Sequence, residues 1–516
     1  MKTKKNELRD FYLLWSTQSL SQLGSAMTGF ALTLWLYEKT GSALSTAMLT
    51  ICTYLPYVLM SIFAGAMTDR FDKKKTMLAC DTFAAICTVI VLVLYKTDLL
   101  CMWHLYAVNA VSGLMNTVQQ PASEVAYTLT VPKEQYQKIS GLQSLSRSLI
   151  SVGNPLLAAA VYGVAGLGTV IVLDLISFAI AFVTLACFIQ LPAVRAGAET
   201  HENVIVLARE GLQFLKKNLL ILHVILFMAG VNLIASAFDA VLPALVIPRG
   251  GNSVLGIVTS SSGIAMVLGS LLVTVMKKPR NRVKVIYQTM LFSLGIENFV
   301  LAFSRNPIWW CIGQVVGWIL VPVMSTNENV IMRNSIPVEL LGRVYACRNT
   351  LQFFTIPVGL ALGGFLVDEI CEPFMAVQTA DSLPALLFGT GKGSGAALMM
   401  FVLGISGVPF CLIYGRELKK IQIRRPIKEM KIPEKTDKGI ARIEALGNTG
   451  GGNLMKNEMN RSKIFPISMA ALWGIVFANA MHSWTLGICM GLCMGIAFGL
   501  FDSGNKEADG KGEDNR

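Results

Sequence analysis

Charge is scarce in this sequence, and what charge there is clusters. Only 15% of the 516 residues are charged, against about a quarter in ordinary soluble domains. Histidine is scarcer still: His104, His201, His223 and His482 stand far apart, which argues against a metal cluster or a histidine-based catalytic site. The eleven cysteines fall mostly inside apolar runs, with no metal-ligand spacing and no disulfide framework. Cys489 and Cys493, one helical turn apart, read as packing. No phosphate-binding glycine loop, hydrolase elbow, zinc-ligand pair or dinucleotide fingerprint occurs in a suitable context. The sequence therefore reads as a non-enzyme without a cofactor. A cleaved leader is excluded as well, because the first apolar run is too long and no small-residue cleavage site follows it.

What is present is hydrophobicity. Apolar residues make up 53% of the chain and the mean hydropathy is +0.56. A bilayer core is crossed by roughly 20 helical residues, and helix satisfies the backbone where no water can. Twelve apolar stretches of that kind are expected at 11–37, 44–68, 76–95, 101–123, 139–163, 167–190, 219–247, 253–276, 285–304, 308–330, 342–367 and 394–414. Two shorter runs follow at 465–482 and 484–501. The expected fold class is an all-α membrane protein of about 14 spans. With the N-terminus in the cytoplasm, 37 of the 44 Lys and Arg residues fall on cytoplasmic segments. Lys39, Lys96, Arg249, Arg305 and Lys392 face outward, and Arg147 and Arg348 lie inside spans. The positive-inside rule thus places both termini in the cytoplasm of a cell-membrane protein. The net charge of +12 is topogenic, and alternation of the basic residues with spans excludes a nucleic-acid surface.

The chain divides into an N-terminal six-helix bundle (1–190), a cytoplasmic linker (191–218), a second six-helix bundle (219–415), a basic linker (416–463), a glycine-rich hairpin (464–503) and a polar tail (504–516). The first linker alternates Val204, Ile205, Val206, Leu207, Leu212, Phe214 and Leu215 with Arg209, Glu210, Lys216 and Lys217, the pattern of an amphipathic surface helix. The bundles carry traces of duplication. Val131-Pro132-Lys133-Glu134 recurs as Ile336-Pro337-Val338-Glu339, and Lys138 pairs with Arg343 at the same offset. Glu124 with Glu328, and Gly65 with Gly269, repeat at an offset one shorter. Duplicated bundles of this kind place a substrate site between the repeats and alternate its access.

The turn after the second span reads Gly65-Ala66-Met67-Thr68-Asp69-Arg70-Phe71-Asp72-Lys73-Lys74-Lys75. It resembles the loop signature of the major facilitator superfamily. Glycine permits close helix approach, the aspartate suits a helix N-terminus and the arginine can reach a carboxylate. Gln18-Ser19-Leu20-Ser21-Gln22-Leu23-Gly24, Thr40-Gly41-Ser42-Ala43, Leu55-Pro56, Gln120-Pro121-Ala122, Asp81 and Asp174-Leu175-Ile176-Ser177-Phe178 resemble its macrolide-efflux and siderophore-exporter branch. The likeness covers about residues 8–415. It implies two six-helix bundles and efflux of a lipophilic or amphipathic small molecule, often by proton antiport. Two positions depart from the branch. Asn109 stands four residues before Gly113, where the family often carries arginine, and the fifth-span glycine motif is reduced to Gly153-Asn154-Pro155.

Polar stripes at helical spacing mark a water-accessible path. They are Gln18, Ser21, Gln22 and Ser25 in the first span, Asn109, Ser112, Asn116, Gln119 and Ser123 in the fourth, and Ser144, Arg147, Ser151 and Asn154 in the fifth. From these, Gln18, Gln22, Asn109, Asn116, Gln119, Arg147 and Asn154 are the candidates for lining a substrate cavity. Ionisable residues inside spans cost at least ~2.5 kcal/mol at the bilayer centre. Asp81, Glu124, Glu328, Arg343 and Arg348 are expected to form a cytoplasmic gate with Asp69 and Arg70. A proton carrier must be a carboxylate whose pKa burial raises, and Asp174, Asp239 and Glu297 are the candidates. Pro155 and Pro357 interrupt the fifth and eleventh spans.

The terminal hairpin carries Gly487, Gly491, Gly495 and Gly499 on one ridge, a surface for close packing on the bundle or a second copy. The expected partners are a small-molecule substrate, the proton and membrane lipids. The competing readings are a facilitator or importer of a polar solute, a lysolipid flippase, and a sensor or scaffold without transport.

Overall fold

The computed structural model describes residues 4–70, 73–129, 136–189, 204–277, 279–337 and 340–424. All of them lie in one unit, Met1–Glu429. The hairpin with Gly487, Gly491, Gly495 and Gly499, and the linker beyond Arg424, fall outside the described residues. The described residues are helical throughout, and eight helices are long and apolar enough to cross a membrane by length and composition.

The first half of the chain holds α1 (Lys4–Thr40), α2 (Ala43–Arg70), α3 (Lys73–Lys96), α4 (Met102–Leu129) and α5 (Tyr136–Val183), which runs into a π-helical turn at Thr184–Phe188. Then comes the short α6 (Val204–Lys217), whose Leu215 is buried among Ile221, Met332, Ile336 and Val344. The second half holds α7 (Leu219–Val275), α8 (Arg282–Phe303), α9 (Pro307–Trp318), α10 (Val321–Ser335), α11 (Leu341–Phe353) and α12 (Thr355–Leu366). A π-helical turn at Val367–Cys371, the short α13 (Glu372–Ala376) and α14 (Leu383–Phe388), and α15 (Ser394–Arg424) complete it.

At 48 and 57 residues, α5 and α7 are about twice the length a bilayer core requires. Each is interrupted once. Gly166 in α5 has φ 75° and ψ 175°, and Gly251 in α7 has φ 80° and ψ 178°. Only glycine occupies this region routinely, so each position turns the chain back without a long loop. The expected spans at 139–163 and 167–190, and at 219–247 and 253–276, lie on either side of these breaks.

Within the first half α1 packs on α5 and α2 on α4; within the second, α8 packs on α15 and α7 on α9 and α12. Across the halves the main contacts are α5 with α7 and α2 with α12. Small residues bring these pairs to backbone contact. A Cβ on Gly263 of α7 would sit 2.9 Å from the Ser151 backbone of α5, and one on Gly364 of α12 would sit 2.6 Å from the Leu44 Cα of α2.

Gly166→Ala and Gly251→Ala test the breaks cleanly, because an added Cβ meets no atom within 4 Å at either site. Backbone strain alone then costs about 1–3 kcal/mol per substitution. Thermal unfolding of the purified protein, followed by intrinsic fluorescence, will show each variant melting below the parent.

Candidate functional site

The face of the bundle that carries the C-terminal end of α1 and the N-terminal end of α2, here the distal face, is closed. A helix N-terminus presents unsatisfied N–H groups and a partial positive charge. On α2 these groups are met from the other half of the molecule. Asp368, just beyond α12, accepts hydrogen bonds from the Ala43 N–H at 3.0 Å, the Leu44 N–H at 2.9 Å and the Ser42 hydroxyl at 2.6 Å. Ser42 Oγ in turn accepts from the Ser45 N–H at 3.0 Å. A second tie runs from Glu38 at the end of α1, which accepts from Asn252 Nδ2 of α7 and from the Tyr162 hydroxyl of α5, each at 2.5 Å. Beneath these contacts, Leu34, Tyr37, Ala43 and Ala159 of the first half are buried in one apolar cluster with Val241, Leu245, Val258 and Met400 of the second. Together these contacts close the halves on one another at the distal end.

Beneath that seal lies a cavity of about 330 Å³. Thr33 of α1 and Thr46, Ala47, Thr50 and Tyr54 of α2 form one side. Asn232, Ala235, Ser236, Asp239, Ala240 and Pro243 of α7, Trp318 of α9, and Ile356 and Leu360 of α12 form the other. Spacings of three and four residues along α2 and α7 put these side chains on single helical faces. The cavity thus lies between the halves and is walled by both.

Asp239 is its only charged lining residue. The side chain opens into the cavity, and no described residue hydrogen-bonds or ion-pairs with it. Pro243, four residues on, has no N–H to give to the Asp239 carbonyl, so the backbone there lacks its helical donor too. Behind the wall stands Glu297 of α8, 5% exposed. Its Oε1 has no hydrogen bond. Gly317 makes room for the carboxyl group, since a Cβ there would meet Glu297 Cβ at 2.9 Å.

A family profile described as transmembrane secretion effector, of the major facilitator superfamily, matches residues 7–390. The chain belongs to that family. Among similar proteins, macrolide efflux protein A of Streptococcus pyogenes is 26% identical over 367 residues, covering 70% of this chain and 90% of the relative. The multidrug efflux pump Tap of Mycolicibacterium fortuitum is 25% identical over 390 residues, 71% and 90% of the two chains. Among solved structures, a bacterial homolog of the human lysosomal transporter Spinster, in an inward-facing and unoccupied conformation, matches with a TM-score of 0.57 at 12% identity over 81% of this chain and 99% of that one. The chain is a multi-pass membrane transporter, not an enzyme.

Of the residues singled out from the sequence, Asp239 lines the cavity, and Glu297 is buried outside its lining. Asp174 lies elsewhere, buried between α5 and α1, where it accepts from Ser25 Oγ at 3.0 Å. Gln18 and Gln119 do not reach the cavity. Both direct their amides to Asp81, Gln18 at 3.5 Å, joining α1, α3 and α4. Asn109 accepts from Thr53 Oγ1 at 3.0 Å across the α2–α4 contact and donates to the Leu105 carbonyl at 2.9 Å. Asn154 Oδ1 is buried without a hydrogen bond, and Gln22, Asn116 and Arg147 are exposed away from the cavity wall.

The expected gate residues divide. Arg348 of α11 pairs with Glu328 of α10 at 3.1 Å, donates to Gln352 Oε1 at 3.0 Å and stacks 5.4 Å from the Tyr345 ring centroid. Arg343 pairs with Glu210 of α6 instead. In the loop motif, Lys74 donates to the carbonyls of Ala186 and Ile189 at 3.0 and 2.8 Å, where a cation suits a helix C-terminus. Lys73 and Lys75 are described beside it. Asp72 and the side chains of Asp69, Arg70 and Glu124, with the surroundings of Gly65, lie outside the described residues. The sequence reading passed over Asp368, Glu38, Tyr54 and Trp318. Asp368 alone carried a signal, an acid closing an apolar run; aromatics in such runs look the same whether they face lipid or a cavity.

Removing the Asp368 carboxylate leaves the α2 N-terminus uncapped from across the interface, a loss of about 0.5–2 kcal/mol by analogy with helix caps. Asp368→Ala is expected to raise labelling of a Thr46→Cys cavity reporter by a membrane-impermeant maleimide added from the distal side several-fold, with Asp368→Asn in between. Labelling rates equal to those of the reporter alone would show that the cap does not hold this face shut.

Proposed function

We propose that this transporter exports a lipophilic or amphipathic small molecule by alternating access, in exchange for protons that bind at Asp239. The observation that carries the reading is the cavity between the halves, whose one charged group has no partner among the described residues. An ionised carboxylate held deep in a membrane protein without a partner is costly. Something must neutralise it in each conformation, and a proton and a substrate that take turns there would be coupled. Glu297, behind Trp318, is the second acid of this path, and Asp174, already held by Ser25, serves packing of α1 on α5.

Breaks at Gly166 and Gly251, with α9 and α10 and likewise α11 and α12 taken as single crossings, support a reading of twelve spans in two sets of six. The hairpin at 464–503 would add two. The bias of 37 of 44 basic residues toward one side supports a distal face that lies outside the cell. A distal face tied by Asp368 and Glu38 is then a closed outer gate. The efflux direction is supported by the similarity to macrolide efflux protein A and the pump Tap. Alternating access would follow from rocking one half against the other about the α5–α7 and α2–α12 contacts.

Reconstitution in liposomes with an imposed pH gradient tests the reading, with a macrolide as the first compound. Gradient-driven flux is expected for the parent, and Asp239→Asn should lower it at least tenfold, while Asp174→Asn retains coupling. Flux that ignores the gradient in the parent would remove proton exchange. Full coupling in Asp239→Asn would remove Asp239 as the carrier.

A further inference from the structure

On the distal face two arginines stand together, and neither lines the cavity. Arg249 lies at the break in α7, and Arg305 lies in the turn between α8 and α9. A Cβ on Gly389, which has φ 89°, would sit 3.3 Å from Arg305 Nε and 3.5 Å from Arg249 Nη2. Both guanidiniums therefore crowd one point. Each meets the last turn of α14: Arg249 Nη2 donates to the Phe388 carbonyl at 2.8 Å, and Arg305 Nη2 to the Leu386 carbonyl at 3.1 Å. A cation suits a helix C-terminus, but one carbonyl uses only one of the several N–H donors that a guanidinium carries. No ion pair compensates either charge among the described residues. Glu372 of α13 spends Oε1 on the Gly393 and Ala396 N–H groups, at 3.0 and 3.2 Å, at the start of α15. Arg249 is half-buried and its Nη1 is enclosed without a hydrogen bond, whereas Arg305 is exposed.

We infer that this pair is a binding site for the phosphate of an anionic phospholipid in the distal leaflet, with Arg305 touching the headgroup and Arg249 adding its uncompensated charge from beneath. A guanidinium fork matches phosphate oxygens in a bidentate, charge-assisted arrangement. The surroundings suit a lipid better than a dissolved anion. Leu383, Leu386 and Leu387 of α14 and Ile308 and Trp309 of α9 are all exposed, from 42% to 69%. Yet α14 is anchored, because its buried Phe388 stacks 5.9 Å from Phe303. Leu386 gives its carbonyl to Arg305, and Ile308 follows Arg305 by three residues, so the apolar side chains adjoin the charge. Arginine beside exposed aliphatic side chains and a tryptophan is the pattern of a membrane–water interface. Acyl chains cover the apolar flank there while the headgroup meets the cation. A free phosphate would answer the charge alone and leave that flank uncovered. A zwitterionic headgroup brings its own cation toward two others, and like charges repel, so a net negative headgroup is preferred. The site is separate from the cavity and stands whatever the transporter carries.

Trp309 serves as a local reporter. The full chain is placed in phosphatidylcholine nanodiscs that carry a minor fraction of a lipid brominated in its acyl chains, either phosphatidylglycerol or phosphatidylcholine. Bromine quenches tryptophan fluorescence at contact range, and subtracting the signal of Trp309→Phe leaves the Trp309 share. Brominated phosphatidylglycerol is expected to quench that share at least threefold more than brominated phosphatidylcholine at equal mole fraction. Arg305→Ala should remove the difference, while quenching by phosphatidylcholine stays as in the parent and so reports an intact fold. Arg305→Lys should keep part of the preference. Inorganic phosphate, matched against chloride of equal ionic strength, should leave it in place. Equal quenching by the two lipids, or a preference that survives Arg305→Ala, overturns the proposal. A preference abolished by phosphate but not by chloride would show that the site takes a free anion, and overturns the assignment to lipid.

Discussion

Hydrocarbon offers no hydrogen bonds, so a polar group carried into a membrane bundle must find its partner within the protein or face water held there. Most of the deep carboxylates in this transporter meet that demand from neighbouring helices. Asp81 receives Gln18 and Gln119, Asp174 receives Ser25, and Glu328 receives Arg348. Among the described residues Asp239 is an exception, and it opens into a cavity walled by both halves. The packing elsewhere gives this exception its meaning. A chain that satisfies acids from partners 38 and 149 positions away leaves one open where a ligand can complete it.

The same demand shapes the distal closure. The α2 N-terminus needs acceptors, and they come from Asp368 on the opposite half, so closing the gate and capping the helix are one event. Opening must give up those hydrogen bonds to water, an exchange that is modest in free energy and therefore reversible. The apolar cluster below supplies the larger part of the contact, and small residues such as Gly364 allow the helices to approach until backbones touch. A closure built this way is tight without being permanent, which fits the proposed alternating access.

Much of the helical layout was legible because long uncharged runs have a single solution in a bilayer. The turns at Gly166 and Gly251 coincide with expected loop positions, although no sequence rule marks the left-handed backbone that makes them so abrupt. The polar stripes of α1, α4 and α5 were expected to line a shared cavity, and none of their candidate residues lines the one between the halves, because a polar face does not announce its partner. Gln18 and Gln119 converge on Asp81 from separate helices, and Asn109 bonds Thr53, contacts that depend on how helices rotate about their axes. Asp239 stood out because charge in an apolar run has few explanations. Tyr54 and Trp318 did not, since an aromatic on a membrane helix suits lipid, core and cavity equally. The tie between Ser42 and Asp368 spans 326 positions and depends on the fold as a whole.

The claim that Asp239 is the open carboxylate of this bundle can be read directly by chemical labelling. A lipophilic carbodiimide attacks carboxyl groups that are protonated and reachable from an apolar cavity, and peptide mass spectrometry locates the adduct. The account predicts modification at Asp239, with Asp81 and Asp174 spared by their hydrogen-bond partners. An unreactive Asp239 beside labelled Asp81 or Asp174 would contradict it.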